Sequence, residues 1–219
     1  MLKILYQDPH IVVCLKPSGV SSQDGGVGSM PHLLMKKLEV GAVYPVHRLD
    51  KAVGGVMVYA LSQKAAAELS RAVQERTLKK TYLAVLCGRP QKDADELSDL
   101  LFHDKFKNKT YVVDRMRKGV KDASLDYRVL EEADGKTLVQ VNLHTGRTHQ
   151  IRVQFASRKL PLVGDGRYGG KTADKELGLW SYQLIFSHPI TKETMTFSHR
   201  PPEAVPWDRF LDMPEEDIF

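Results

Sequence analysis

The chain is poor in cysteine, with only Cys14 and Cys87 in 219 residues, each inside an apolar run and neither with a Cys-x-x-Cys partner. That excludes a disulfide framework and a thiolate-ligated zinc site, and predicts two buried thiols in a reducing compartment. No stretch comes near the 18 uncharged apolar residues of a membrane helix, so no membrane partner is expected. The opening Met1-Leu-Lys-Ile-Leu-Tyr-Gln-Asp carries charge by position 3 and lacks the apolar centre of a secretory leader, which points to the cytoplasm. Repeats, low-complexity tracts and Gly-Ser linkers are missing too. A single domain over residues 1–219, acting as a monomer, is the expectation.

What is present is an ordinary globular composition, 42% hydrophobic and 27% charged. A chain of this length can bury roughly 70% of its unfolded surface without staples. Its net charge of +5 hides an asymmetry. Residues 203–219 set six acids against Arg209 alone, a net of −5, so residues 1–202 carry +10. A body that basic suits a polyanion, and equally serves plain solubility.

The pattern is mainly strands with a few helices. Ile4–Gln7 and Ile11–Leu15, broken by Asp8-Pro9, predict a hairpin that enters a loop at Lys16-Pro17-Ser18-Gly19. A short helix is expected at His32–Glu39 and a buried strand at Val53–Leu61. Ser62 then caps a helix whose Ala65, Leu69 and Val73 share a face. Thr81–Cys87 returns as a strand. Val139, Val141 and Leu143 alternate with polar residues after an Asp134-Gly135 turn from a strand at Leu125–Leu130. Two more strands are expected at Tyr182–Ser187 and Thr194–Phe197. Phe102–Arg128 reads as a net-basic, mostly irregular insertion, either a solvated loop or a phosphate-contacting arm. The acidic tail either packs Trp207 and Phe210 onto the body or shields its basic face.

Two segments are unusually polar. His47-Arg48-Leu49-Asp50 stands directly before an apolar strand, where each side chain could also serve only to solvate a strand end. His144-Thr145-Gly146-Arg147-Thr148-His149-Gln150-Ile151-Arg152 is a strand end turning into a helix that Thr148 can cap, with Ile151 and Phe155 on its apolar face. His149 and Arg152 would share one face, with Arg147 in the turn ahead, and form an anion-receiving helix start. A carboxylate such as Asp50 received there would have its pKa lowered by about 1–3 units and stay ionised. Other chemistries fit less well. Gly164–Thr172 is one residue too long for a phosphate loop and follows no strand. The histidines His47, His144, His149, His188 and His199 form no metal-ligand spacing, so no metal is expected. No Gly-x-Ser-x-Gly elbow exists.

His47-Arg48-Leu49-Asp50 followed by Gly54-Gly55-Val56-Met57-Val58, then Lys80-Thr81-Tyr82-Leu83-Ala84-Val85 and Thr145–Arg152, resembles the RluA-type pseudouridine synthases. Ile4–Asp8, Lys16–Gly19, Pro161–Asp165 and Phe186–Pro189 extend the resemblance over roughly residues 3–202. The resemblance implies an α+β fold: a mixed, largely antiparallel sheet with a central cleft, flanked by helices and loops. It also implies an isomerase that turns a uridine of structured rRNA or tRNA into pseudouridine without metal or cofactor. Asp50 would be the catalytic carboxylate. Tyr82 would lie against the base and serve proton removal from C5; outside this context it reads equally as a core tyrosine. Arg152 would pair with Asp50, and Arg48 would hold the flipped-out position open. His47, Arg147 and His149 complete the expected binding residues. The chain departs from the family at Gly54, where Ser is common, and near Trp180-Ser181, where His-Ala is common. Two rival readings stay open: a non-catalytic RNA-binding or folding factor on the same scaffold, and a nucleoside or glycosyl hydrolase working through the same carboxylate.

Overall fold

The computed structural model describes residues 2–23, 26–170, 174 and 176–215. In chain order its elements begin with β1 (Ile4–Gln7), β2 (Ile11–Lys16), α1 (Met30–Leu38), β3 (Tyr44–Pro45), β4 (Gly54–Ala60), α2 (Gln63–Gln74) and β5 (Lys79–Cys87). They continue with β6 (Ala94–Asp104), β7 (Lys109–Val113), β8 (Val120–Ala133), β9 (Lys136–Leu143), α3 (Gln150–Ser157), β10 (Leu179–Ser187) and β11 (Thr194–Ser198). Two compact units result, one made of Met1–Lys80, Trp180–Pro201 and Pro214–Phe219, the other of Thr81–Leu179 and Pro202–Met213. Within them, among the described residues, strand pairing is antiparallel except where β10 runs parallel to β4.

In the first unit the strand order is β1-β2-β4-β10, with β3 on β4 and β11 on β10. β2 and β4 are apolar on both faces because both faces are covered. Ile11, Val13, Val56, Val58, Leu184 and Phe197 form the core on one side, against Ala65 and Leu69 of α2. Ser62 caps α2 as its position predicts, its Oγ accepting the Ala65 N–H at 3.3 Å. The β1–β2 turn is built by Asp8, whose carboxylate accepts the N–H groups of His10 and Ile11, each at 2.7 Å. Gly55 lies at φ +124, and a Cβ there would stand 2.2 Å from the Ser181 carbonyl oxygen, so the parallel pairing needs glycine. Cys14 is buried, while Cys87 of the second unit is only half-buried, less than its apolar surroundings predict.

The second unit is an antiparallel sheet in the order β5-β9-β8-β6-β7. The Asp134-Gly135 turn forms as expected, both residues at positive φ. The segment read as irregular, Phe102–Arg128, is instead ordered hairpin: β6 pairs with both β7 and β8. Its signal was an alternation that the many charges conceal, with Ala123, Leu125 and Tyr127 inward and Ser124, Asp126 and Arg128 between them. Residues 202–213 pack here. Trp207 and Phe210 are buried, and the Glu131 carboxylate accepts the N–H groups of Leu211 and Asp212 at 2.6 and 2.8 Å. Of the tail's acids, Glu216 and Asp217 lie outside the described residues, as do Lys171 and Thr172 of the glycine-rich stretch.

Candidate active site

In the first unit, the segment before β4 alternates. His47 and Leu49 are buried, Arg48 is exposed and Asp50 half-exposed, so the two charged residues of the motif face away from the core. Burial and the nearby Lys80 hold the His47 imidazole well below its usual pKa, hence neutral. Its Nε2 accepts the Val58 N–H at 3.2 Å, which ties the motif to β4 and assigns the ring proton to Nδ1.

The loop that begins at Lys16-Pro17-Ser18-Gly19, to which the sequence motifs assigned no role, clamps Asp50 from the other side. The Ser22 hydroxyl donates to the Leu49 carbonyl at 2.8 Å and accepts the Leu49 N–H at 3.1 Å, while Tyr59 Oη donates to the Ser22 carbonyl at 2.8 Å. On the far side of Asp50, Gly19 N–H reaches the Lys51 carbonyl at 2.8 Å and Ser18 Oγ the Ala52 carbonyl, also at 2.8 Å. Lys16 is fully buried, and its ammonium donates to the carbonyls of Pro17, Val20 and Lys51 at 2.8, 2.7 and 3.1 Å. Burial pulls its pKa down to about 8, and the Asp50 carboxylate opposes that shift. The backbone on both sides of Asp50 is therefore fixed, with a buried cation close enough to act on its charge. The only sequence hint was the Lys-Pro-Ser-Gly loop itself.

The second unit carries the other expected residues. Tyr82 is buried on β5, opposite Val141 of β9. Beside it a polar row crosses three strands: Thr81 Oγ1 donates to Asn142 Oδ1 at 3.1 Å, Asn142 Nδ2 donates to Asp126 Oδ1 at 2.8 Å, and His144 Nε2 lies 2.8 Å from Asp126 Oδ2. The alternation on β9 set Asn142 and His144 on one face, but nothing in the sequence showed that they meet Thr81 and Asp126.

α3 departs from expectation at its start. Thr148 does not cap it; His149 occupies the capping position with a left-handed backbone, φ +55. The loop is held by Gln150, whose Oε1 accepts Thr145 Oγ1 at 2.8 Å and the Arg147 N–H at 3.0 Å. A side-chain amide one residue into the helix thus orders the turn that precedes it. Nor is α3 amphipathic: Gln150 to Phe155 are all buried.

The three basic residues of this turn reach three partners. Arg147 Nε donates to the Asp122 carbonyl at 2.8 Å. His149 is buried, its Nδ1 3.0 Å from Tyr168 Oη. Arg152 grips Asp165 with two parallel bonds, Nε to Oδ2 at 2.7 Å and Nη2 to Oδ1 at 2.8 Å, both side chains being buried. Tyr168 also stacks beneath the Arg152 and Lys109 cations, at 5.2 and 5.4 Å from its ring centre. Among the described residues, no group of three or more His, Cys, Asp or Glu side chains gathers as a metal site.

Residues 10–157 match a family model described as RNA pseudouridylate synthase. The chain is 32% identical over 219 residues to the ribosomal large subunit pseudouridine synthase D of Nitrosomonas europaea, covering 92% of this chain and 62% of that relative's length. It is 36% identical to the dual-specificity RNA pseudouridine synthase RluA of Yersinia pestis, covering 89% and 96%. Of solved structures, it resembles human RNA pseudouridylate synthase domain containing 1, with a TM-score of 0.78, 25% identity and coverage of 94% and 85%. Human RNA pseudouridylate synthase domain containing 4 gives a TM-score of 0.77 at 24% identity, covering 91% and 88%. The fold is that of these domains, α+β with largely antiparallel strands, as the sequence motifs imply.

Proposed function

The chain belongs to the RNA pseudouridine synthases, a family of isomerases, and on that premise we propose that it isomerises one or a few uridines of structured RNA, with Asp50 as the catalytic carboxylate. The observation that carries this reading is the clamp on residues 49–52: side-chain and backbone donors from Lys16, Ser18, Gly19 and Ser22 fix the backbone around one half-exposed carboxylate. A carboxylate so held is preorganised for chemistry. The Nitrosomonas relative's name points to the large ribosomal subunit and the Yersinia relative's to dual specificity on RNA; the substrate class we propose is structured ribosomal or transfer RNA.

In the reaction the target uridine leaves its stack, at a cost of a few kcal/mol that phosphate and stacking contacts offset. The C1′–N1 bond breaks, with positive charge developing at C1′ and negative charge on the uracil; a carboxylate near the sugar favours that departure. Asp50 acts either at the sugar, attacking C1′ and departing as C1′–C5 forms, or removing the C2′ proton and returning it at that point, or by adding to C6 of the base and leaving again by elimination. The uracil turns, C1′–C5 forms, the C5 proton leaves and N1 takes up a proton. We assign Tyr82 to the face of the base and to C5 proton removal, and count Arg152 among the catalytic residues. Arg48 and Arg147 receive the flipped nucleotide and its phosphates from the segments that His47 and His149 anchor. Two cysteines without a disulfide accord with a cytoplasmic setting.

The test is pseudouridine mapping by carbodiimide-dependent reverse-transcription stops across total RNA, from cells lacking the gene and complemented with wild type or Asp50→Asn. One or a few stops should vanish on deletion and return only with Asp50 intact. Stops restored by Asp50→Asn would remove Asp50 from the chemistry, and an unchanged map with RNA binding retained would favour the non-catalytic binding factor.

A further inference from the structure

β6 and β7 meet in a turn at residues 105–108, where Phe106 stands with its whole ring in water. The turn around it is firmly built. The Asp104 carboxylate accepts the N–H groups of Phe106 and Lys107 at 3.0 and 3.1 Å. Arg167 Nη1 donates to the carbonyls of Lys107 and Asn108, each at 3.1 Å, and Asn108 takes the left-handed φ of +44 that closes the turn. Just inside β7, the Thr110 N–H donates to Tyr168 Oη at 2.8 Å. A phenylalanine normally contributes through the 150–250 Å² it buries. Phe106 contributes none of that to its own fold, yet its backbone is held in place, so little ordering is left to oppose binding through the ring.

The surroundings select the partner. Residues 105–121 hold seven Lys or Arg against Asp114 alone, a net of +6 in seventeen positions. Lys105 and Lys107 flank the ring and are exposed, and Tyr111 and Met116 add partly exposed apolar surface. The matching ligand is a polyanion that also offers a flat apolar face. A paired RNA helix has the phosphates but hides its base faces in the stack, and an acidic peptide has charge without a stacking surface. An unpaired stretch of RNA has both.

We propose that the β6–β7 tip is a base-stacking finger: Phe106 stacks on an unpaired base while the neighbouring cations neutralise the phosphates beside it. The inference rests on the RNA reading above and adds to it the form of RNA that this hairpin selects, single-stranded over duplex.

Fluorescence anisotropy with two probes, a labelled oligouridine and a labelled RNA duplex of matched length, tests it. Phe106→Ala should weaken oligouridine binding about 5- to 150-fold, the range that base–aromatic stacking spans. It should leave duplex binding and the salt dependence unchanged, and Phe106→Trp should retain wild-type affinity. The Lys105→Gln/Lys107→Gln pair should instead weaken both probes and flatten the salt dependence, by about 0.7 in slope for each single-strand phosphate no longer neutralised. No loss in Phe106→Ala, or an equal loss on both probes, overturns the finger. So does self-association in sedimentation that Phe106→Ala abolishes with RNA binding intact, since the tip would then belong to a second copy of the chain. The two readings fail separately. Selective loss of oligouridine without any mapped pseudouridine leaves the finger standing and removes the enzyme, whereas mapped pseudouridine with unchanged Phe106→Ala binding does the reverse.

Discussion

Lys16 has no contact with water, and the carbonyls of Pro17, Val20 and Lys51 solvate its ammonium instead. Folding pulls its pKa from 10.5 down to about 8, through burial that the Asp50 charge only partly opposes. The unfolded chain therefore holds this proton over a window, from about pH 8 to about 10.5, in which the folded protein has released it. The unfolded state binds more protons there, so the Lys16 contribution to stability rises with pH across the window. Lys16→Met should lack that rise. Urea unfolding at both ends of the window should show wild-type stability rising relative to the variant by up to about 3 kcal/mol at the alkaline end. A gap independent of pH would contradict this placement of Lys16. In the sequence Lys16 is one loop lysine among many, because a lone lysine has no pattern to announce burial. The same limit hid a coupling at Gly54. A Cβ there would stand 2.4 Å from the Trp180 ring, so the two departures from the family pattern are one contact: the indole occupies the space that serine would need. Trp180 is fixed there by its Nε1, which donates to the His199 carbonyl at 2.7 Å.

At the scale of elements, Tyr168 joins the β6–β7 hairpin to the start of α3. Its hydroxyl accepts from Thr110 N–H and meets His149 Nδ1, while Thr110 Oγ1 donates to the Thr148 carbonyl at 2.8 Å and lies 3.1 Å from His103 Nδ1. Tyr168→Phe keeps the ring under Arg152 and Lys109 and removes only the bonds to the hydroxyl. We expect it to cost about 1–3 kcal/mol, since a buried N–H loses its acceptor. Amide exchange at Thr110 should accelerate while exchange in β5 and β9 stays as in wild type. Uniform acceleration across the sheet would instead make Tyr168 a general core residue. The elements themselves were legible unevenly. The β1–β2 hairpin, α2 with its Ser62 cap, and the Asp134-Gly135 turn follow from local chemistry, and all form where that chemistry puts them. β6 and β7 were not legible, because their inward positions, such as Leu97 and Leu101, are sparse among charged neighbours. The α3 cap was misread because His149 takes the capping position with a left-handed backbone, which spacing does not encode.

Across the whole molecule, charge was the most legible property and the least specific. The excess on residues 1–202 is concentrated at 105–121, and the acidic tail is anchored through Trp207, Phe210 and the two backbone bonds to Glu131. The ordered motif string from His47 to His188 identified the family because its members recur in one sequence order, although they are distributed over both units. The motifs included Lys16-Pro17-Ser18-Gly19 but could not show the clamp: Ser22, Ser18, Gly19 and Lys16 act on backbone atoms, and such contacts leave no side-chain pattern beside Asp50. The reaction proposed for Asp50 exchanges a C1′–N1 bond for a C1′–C5 bond and must expel the C5 hydrogen while keeping the base attached to the RNA at the end. The most direct measurement is therefore tritium release from RNA carrying [5-³H]uridine, with free uracil assayed in the same samples. Wild type should release tritium and no uracil, and Asp50→Asn should release neither. Free uracil from wild type would make the protein a hydrolase, and tritium release surviving in Asp50→Asn would contradict the role given to Asp50.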